Sequence, residues 1–308
     1  SKINELENKM QLQCFKYSDF EFQEKRQKAL LNLYVDISKA PKARGQLKQI
    51  QDLNLYLMKE LSRLCSEINV DFWLRGGSAL GAYRHNGFIP WDDDVDLGMM
   101  RDDFEKLEKY VNANSENYEI TYFYHDICKV AKFLFKDTQS AIFVDIMVFD
   151  WTDWKNADNF WEEYMGDRNV QAERLRSLAF PQAYAKYLSK EQIAQYEAIL
   201  DINRKKYLTK EITDKSALYM CVDQLHPRGK RIFPTEMIFP LREVQFEDTA
   251  FFVPQRLEDY LEYYYGLDYN NFPADVNIHQ HDYMLNEDDY KATGLLHKKI
   301  FGDKNDSQ

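Results

Sequence analysis

The sequence has few cysteines, and their spacing fits neither a metal site nor a disulfide framework. Four cysteines occur in 308 residues, and no two of them form a Cys-x-x-Cys pair. This pattern argues against a zinc ribbon and against a chain held together by disulfides. His279 and His281 would face the same way on a strand, but no further ligand accompanies them at zinc-site spacing. We therefore expect reduced thiols and no structural zinc.

Basic residues and long apolar runs are also scarce. The chain has 40 Lys and Arg against 51 Asp and Glu, which gives a formal net charge of −11. Because a nucleic-acid groove needs a basic surface to neutralise phosphates, we expect no nucleic-acid partner. No apolar run reaches the length of about 18 residues that a membrane-spanning helix needs, and the N-terminus shows no signal-peptide pattern. We therefore expect no transmembrane segment.

Hydrophobic spacing and turn signals predict an α+β fold. Apolar residues at intervals of three and four predict a helix over 46–68. Runs rich in aromatic and β-branched residues predict strands over 71–74, 118–124, 130–135 and 141–149. The predicted regions are an N-terminal helical segment (1–45), a core (46–154), a helical insert that could bind an acceptor (155–235), and a C-terminal hairpin with helices packing on the core (236–308).

Four carboxylates lie within five positions, at Asp92, Asp93, Asp94 and Asp96. Like charges this close raise one another's pKa unless a cation or a network of donors compensates. The alternation of Asp94 and Asp96 with apolar residues is typical of a half-buried strand, so both should face one side. Two adjacent carboxylates suit Mg²⁺ or Mn²⁺. With a shorter spacer after the glycine turn, Asp92 and Asp94 would be the metal ligands instead. If the cluster has no chemical role, it is a solvated acidic turn.

Asp145 interrupts an apolar run over 141–149 that predicts a buried strand. A lone carboxylate inside such a strand is costly unless it is paired with a cation or bound to a metal. We therefore expect Asp145 to be a third metal ligand, close in space to Asp94 and Asp96.

A glycine-rich turn precedes the acidic cluster. Gly76, Gly77 and Ser78 offer backbone N–H groups, and a phosphate could approach them closely because glycine has no Cβ. Arg84 and Arg75 are the nearest cations and could bind phosphate oxygens, or could instead pair with the acidic cluster. Further phosphate-binding candidates are Lys129 and Lys132, which lie on the way to the strand that carries Asp145.

The stretch from Phe72 to Asp96 resembles the signature of the LicD family, which includes bacterial phosphocholine transferases and has fukutin-related ribitol-phosphate transferases as relatives. The family's Trp-Asp-x-Asp-x-Asp pattern falls on Trp91, Asp92, Asp94 and Asp96. The resemblance extends to 100–105, to the Asp145 strand and, more weakly, to 265–269. One departure is Ser78-Ala79-Leu80, where many members have Thr-Leu-Leu; another is the motif-poor stretch 155–230.

This resemblance implies a nucleotidyltransferase-like mixed β-sheet flanked by helices, and a reaction. CDP-choline would donate phosphocholine to a sugar hydroxyl of a cell-surface glycan or a lipid-linked teichoic acid precursor, and CMP would leave. Two Mg²⁺ or Mn²⁺ ions held by Asp94, Asp96 and Asp145 would suit an in-line displacement. Asp145 could also accept the hydroxyl proton. A cytoplasmic location follows, with peripheral contact at the inner membrane face for a lipid-linked acceptor.

The transferred group, the type of reaction and the role of the tryptophans each have alternative interpretations. Ribitol phosphate or glycerol phosphate could replace phosphocholine, the reaction could be ordinary nucleotidyl transfer, or the chain could be a nucleotide-binding module without chemistry. Choline would favour an aromatic cage, for which Trp91, Trp151 and Trp154 are candidates, and a polyol would favour a polar pocket. Core packing is the other interpretation of each tryptophan.

Overall fold

A computed structural model of the chain describes residues 32, 35–125, 127–136, 138, 140, 142–153, 157–178, 182–220, 222–224, 232–272 and 286–302. The helices are α1 (Gly45–Glu67), α2 (Gly76–His85), α3 (Arg101–Asn114), α4 (Ala157–Ser177), α5 (Lys190–Tyr207), α6 (Thr235–Ile238), α7 (Leu257–Tyr265) and α8 (Glu287–Phe301). The strands are β1 (Trp73–Leu74), β2 (Asp96–Met100), β3 (Tyr118–His125), β4 (Cys128–Phe135), β5 (Phe143–Asp153), β6 (Ala183–Tyr184), β7 (Ser216–Met220), β8 (Ile232–Pro234), β9 (Arg242–Phe246) and β10 (Thr249–Val253).

Strand β5 is the centre of an eight-stranded mixed sheet with the order β1-β2-β5-β4-β3-β6. It runs parallel to β2 and antiparallel to β4. Its C-terminal half also pairs with β7, which in turn pairs with β8. Strands β9 and β10 form a separate hairpin around Glu247 and Asp248. The mixed sheet flanked by helices that the sequence predicted is confirmed.

Helix α1 packs against the sheet through the stripe that predicted it. Ile50, Leu53, Leu57, Leu61 and Leu64 are all buried. They belong to one large core that also contains the apolar sides of β2, β4 and β5. Burying each such side chain contributes about 1.5–3 kcal/mol, so this face fixes α1 on the sheet.

The region over 155–235 is not purely helical. Helices α4 and α5 occupy much of it, but the same region also contributes β6, β7 and β8 to the main sheet. The five residues of β7 are all buried. Short apolar runs cannot be assigned to helix or strand by periodicity alone, which is why the sequence pattern missed these strands.

A buried ion-pair network joins the first residue of α3, directly after β2, to β5. Arg101, directly after β2, binds both carboxylate oxygens of Asp150 on β5, at 2.6 and 2.8 Å. Its guanidinium also reaches Asp223 at 3.3 Å, and Arg204 of α5 binds Asp223 at 2.7 Å. Burial raises the pKa of Asp150. Burial also disfavours the Asp223 carboxylate, but the charges of Arg101, Arg204 and Lys129 outweigh it and lower the pKa of Asp223.

Several expectations concern residues at the limits of the described ranges. The N-terminal helical segment predicted over 1–45 lies outside them except for Asn32 and residues 35–45, where Ile37–Lys39 form a 3₁₀ turn. His279, His281 and Trp154 also lie outside them. Cys65 and Cys128 are buried free thiols. Within the described ranges, no helix combines the length and apolar character needed to cross a membrane.

Two helical glycines give a matched test of packing. A Cβ at Gly81 in α2 would collide with the carbonyl oxygen of Gly87 and lie 3.0 Å from the backbone N of Ile89, whereas a Cβ at Gly166 in α4 would meet nothing within 4 Å. Gly81→Ala should therefore lower the free energy of unfolding by about 1–3 kcal/mol. Gly166→Ala should raise it by about 0.5–1 kcal/mol because alanine favours the helix. Urea denaturation measures both, and equal effects would contradict the packing at Gly81.

Candidate active site

Asp96 and Asp145 lie side by side at the centre of the sheet. They are register partners on the parallel strands β2 and β5, which places their backbones about 4.8 Å apart with both side chains on one face. The pairing continues one residue before β2, where the N–H of Asp145 donates to the carbonyl of Val95 at 2.9 Å. Both carboxylates are partly exposed. The structure therefore brings together two of the three predicted ligands.

The other acidic residues lie in the loop that leads into β2. Carboxylate oxygens of Asp92, Asp93 and Asp94 lie within 4.8 Å of one another. Helix α1 fixes this loop, because Gln51 donates to the carbonyl of Asp92 at 2.8 Å and Asn54 donates to the carbonyl of Asp93 at 2.9 Å. The predicted strand thus begins at Asp96 rather than at Asp94, although Asp94 is partly exposed like Asp96.

Asp92 is buried among the other carboxyl groups of the loop. Burial raises its pKa well above the ordinary value, and the charges of Asp94, Asp93 and Asp96 raise it further. A buried carboxylate surrounded by others needs a proton or a cation. The loop therefore concentrates acidic side chains just before the first residue of β2.

The glycine turn is the N-terminus of α2, and the carboxylates press directly against it. A Cβ at Gly76 would lie 2.9 Å from Asp96 Oδ2, and a Cβ at Gly77 would lie 2.7 Å from Asp92 Oδ2. Gly76 also has φ = +52°, which L side chains rarely adopt. The Ser78 hydroxyl accepts a hydrogen bond from the N–H of Asp96 at 3.0 Å. These residues hold the carboxylates at the positive end of the helix dipole.

Two cations neutralise the paired carboxylates. Arg75 Nη1 binds Asp96 Oδ1 at 2.9 Å, and Lys132 Nζ binds Asp145 Oδ1 at 2.6 Å. Lys132 is the register partner of Asp145 on β4, so Asp96, Asp145 and Lys132 lie in one row across three strands. Of the two roles open to Arg75, the structure shows pairing with the acidic cluster.

Two predicted substrate-binding residues do not reach this row. Lys129 lies three residues before Lys132 on β4, so its side chain leaves the opposite face of the sheet. There Nζ binds Glu197 at 2.6 Å. Trp151 lies on the same face as Asp145, but six residues further along β5, which is about 20 Å away. The structure therefore does not bring these two side chains to the row of Asp96, Asp145 and Lys132.

Arg84 and Trp91 line a cavity of about 210 Å³ beside Gly77 and Asp92. Arg84 is buried and donates to the carbonyls of Tyr269 and Asn271 at 3.3 and 3.4 Å. Burial lowers the pKa of Arg84 to about 10. A second cavity of about 490 Å³ shares Arg84 and Asn271 and is otherwise lined largely by polar side chains, among them Asn32, Asp36 and Ser38. Arg84 thus lines both cavities, and the smaller one adjoins Asp92 of the acidic loop.

Tyrosines of α7 contact the glycine turn and Arg75. The Tyr260 hydroxyl accepts from the N–H of Gly76 at 3.3 Å, so this N–H already has a partner in the turn predicted to cradle phosphate. The Tyr264 hydroxyl accepts from Arg75 Nη2 at 2.6 Å. A Cβ at Gly76 would lie 3.7 Å from the Tyr265 hydroxyl. The weak resemblance over 265–269 was the only sequence signal for this contribution.

The donor set fits a divalent metal. The three residues whose ligand atoms lie within 4.8 Å of one another, Asp92, Asp93 and Asp94, offer carboxylate oxygens, which Mg²⁺ and Mn²⁺ prefer. Burial is the main cause of the raised pKa of Asp92, the charges of Asp94, Asp93 and Asp96 add to it, and a cation would favour the ionised form. Of the predicted ligands, Asp94 belongs to this group, and Asp96 and Asp145 lie side by side on β2 and β5.

Comparison with known families decides the type of domain. Residues 69–195 match the family model described as LicD/FKTN/FKRP, nucleotidyltransferase domain. The chain contains a LicD-type nucleotidyltransferase domain. The resemblance noted in the sequence is confirmed, and the matched residues include the glycine turn, the acidic loop, β2 and β5.

Individual relatives match the LicD-type domain over limited lengths. The lipopolysaccharide cholinephosphotransferase LicD of Haemophilus influenzae is 30% identical over 117 residues, which are 34% of this chain and 44% of that protein. The human ribitol 5-phosphate transferase FKRP is 50% identical over 46 residues, 15% of this chain and 9% of that protein. An uncharacterised protein of Rickettsia prowazekii is 32% identical over 124 residues, 38% and 47% of the two chains. The chain spans less than half the length of these curated relatives.

Proposed function

We propose that this chain transfers phosphocholine from CDP-choline to a hydroxyl of a cell-surface glycan or teichoic acid precursor, in a reaction that requires Mg²⁺ or Mn²⁺ and releases CMP. One observation carries the proposal. Asp96 and Asp145 are register partners on adjacent strands, beside the N-terminus of α2 and the acidic loop. Nucleotide binding alone does not need so many converging carboxylates.

The chain's own residues suit an in-line displacement at the phosphorus that carries choline. The acceptor oxygen forms a bond to this phosphorus, the bond to the CMP oxygen breaks, and the hydroxyl proton passes to a carboxylate. Asp145 would accept this proton, and Lys132, whose Nζ donates to Asp145 Oδ1 at 2.6 Å, would fix its orientation. Divalent metal held by Asp94, Asp96 and Asp145 would neutralise the diphosphate and the leaving oxygen. Arg84 would bind a phosphate oxygen from the cavity side.

The names of the relatives support this class of reaction and leave a second candidate. LicD of Haemophilus influenzae is named as a cholinephosphotransferase, and its match extends over 117 residues. FKRP is named as a ribitol 5-phosphate transferase, with higher identity over a shorter segment. Transfer of ribitol phosphate or glycerol phosphate from a CDP-linked donor would use the same carboxylates. Ordinary nucleotidyl transfer would attack the other phosphorus at the same site.

The place of the reaction follows from the donor. A CDP-linked donor is a cytosolic metabolite, so we propose that the chain acts in the cytoplasm. With a lipid-linked acceptor it would work at the inner face of the membrane.

Metal removal and donor exchange test the proposal together. The protein is incubated with Mg²⁺, candidate glycans and CDP-choline, CDP-ribitol or CDP-glycerol, and CMP release and label incorporation are measured. We expect phosphocholine incorporation with CDP-choline, its loss in excess EDTA, and its recovery on adding Mg²⁺ or Mn²⁺. Activity that survives EDTA would contradict the metal requirement. CMP release from a polyol donor alone would favour the second candidate.

A further inference from the structure

The cavity of about 210 Å³ beside the carboxylates has an unusually aromatic wall. Trp91 comes from the acidic loop, whereas Tyr265, Tyr269 and Phe272 come from the end of α7 and the segment after it. The rings of Trp91 and Phe272 stack, with centroids 6.0 Å apart and planes 25° from parallel. Four rings from two distant parts of the chain therefore enclose one space.

The remaining wall is apolar or negatively charged, apart from Arg84 and Asn271. Leu80 and Ile89 add aliphatic surface, and Asp92 and Asp268 add carboxyl groups. Asn271 Nδ2 donates to Asp268 Oδ1 at 3.3 Å, and Arg84 donates to two backbone carbonyls. Arg84 Nη1 and Asn271 Nδ2 therefore already have acceptors. The other side-chain donors at the wall include Arg84 Nε and the hydroxyls of Tyr265 and Tyr269.

This lining favours one class of ligand. Aromatic faces attract cations, and a quaternary ammonium has no N–H that needs a hydrogen-bond acceptor. A polyol of similar size would leave hydroxyl groups against apolar rings, which is costly. The size also suits a small headgroup, because cavities for larger organic ligands measure about 300–1000 Å³.

We propose that this cavity is the headgroup subsite of the donor, and that Trp91, Phe272 and Asp268 select a quaternary ammonium over a polyol. The inference rests on the proposed function, and it joins Trp91, a candidate from the sequence, to Phe272 and Asp268, which the sequence did not identify. Gly77 and Arg84 line the same cavity, so the phosphate that carries the headgroup stays beside the N-terminus of α2 and the guanidinium. Trp91 takes part, whereas Trp151 does not.

The first test compares two ligands that differ in one atom. Phosphocholine and 3,3-dimethylbutyl phosphate have the same shape, but only the first carries a positive charge in its headgroup. Titration of the full chain with each in the presence of Mg²⁺, followed by tryptophan fluorescence or calorimetry, should give at least about tenfold tighter binding for phosphocholine. Equal affinities would overturn the inference without any variant. This comparison measures binding alone, so it decides the subsite even if no transfer activity is found.

The second test separates the aromatic ring from its volume. Phe272→Leu keeps an apolar side chain but removes the π-face, and Phe272→Tyr keeps the π-face. We expect Phe272→Leu to raise the KM for CDP-choline by about 3- to 30-fold, and Phe272→Tyr to restore most of the loss. Any CMP release from CDP-ribitol should change by less than about twofold in either variant.

The outcomes distinguish the two proposals. CMP release from no CDP-linked donor would reject the proposed function. Efficient CMP release from CDP-choline, together with equal losses for CDP-choline and CDP-ribitol in Phe272→Leu, would reject the headgroup subsite alone. The thermal midpoint and the circular dichroism of each variant are measured alongside, and tighter binding of phosphocholine by the unaltered chain decides the matter if a variant fails to fold.

Discussion

Asp96→Asn should lower CMP release from CDP-choline by about 100- to 1000-fold. Removing one metal-binding charge forfeits several kcal/mol of transition-state stabilisation, at about 1.4 kcal/mol per tenfold in rate. The substitution keeps an oxygen where Arg75 binds at 2.9 Å, so the fold should tolerate it. The loss should appear in kcat rather than in the KM for the donor, and the apparent affinity for Mg²⁺ should fall with it.

Asp248→Asn is the matched control for Asp96→Asn. It makes the same change of charge at an exposed turn, where the carboxylate binds Lys59. Its activity should stay within about twofold of the original, because exposed ion pairs contribute little. Full activity in Asp96→Asn, with metal dependence unchanged, would refute the assignment of Asp96 as a ligand.

Arg101→Met should lower the free energy of unfolding by about 3 kcal/mol. The substitution leaves Asp150 without the guanidinium that binds both of its oxygens, and only 5% of Asp150 is exposed. Breaking a buried pair from one side costs about 3–5 kcal/mol, and the lower end applies because Arg101 partly reaches solvent. Lys106→Met removes an exposed pair with Asp103 and should cost less than about 0.5 kcal/mol.

The loss in Arg101→Met should depend on pH. Burial already raises the pKa of Asp150, and removing Arg101 raises it further. A carboxyl whose folded-state pKa lies above its unfolded-state pKa destabilises the protein above the unfolded value, and the cost disappears when it is protonated. The deficit relative to the original chain should therefore shrink between about pH 7 and about pH 4. Adding Asp150→Asn should recover part of the loss at neutral pH. Urea denaturation curves that show the same deficit at both pH values would contradict this account.

The predicted fold and the pairing of carboxylates depend on patterns that are local in the sequence. The apolar run around Asp145 indicated a buried strand, and the cost of a buried charge indicated that Asp145 binds a metal close to the other carboxylates. Register on parallel strands then set Asp96 opposite Asp145. Strand periodicity alone would also have separated Lys129 from Lys132, because residues three apart point to opposite faces.

The part of the site contributed by α7 depends on packing between distant segments. Tyr260 and Tyr264 are four residues apart, which predicts a shared helical face but not the surface that the face contacts. That surface is the glycine turn, 184 residues earlier in the chain. Trp151 is the opposite case: it is close to Asp145 in sequence, but six residues of extended strand separate the two by about 20 Å. Local patterns give the elements, whereas tertiary contacts decide which elements meet.

The hydrogen bond between Arg75 and Tyr264 also has a consequence for biosynthesis. The two residues are 189 positions apart, and translation adds about 5–20 residues per second, so Arg75 waits about 10–40 s for this partner. The acidic loop and the central strands leave the ribosome well before α7 and the aromatic cavity wall. A nascent chain can therefore gather the carboxylates first, but the headgroup subsite closes only after α7 and the segment that follows it have been synthesised. Activity should accordingly be acquired once these residues have left the ribosome rather than in proportion to the length synthesised.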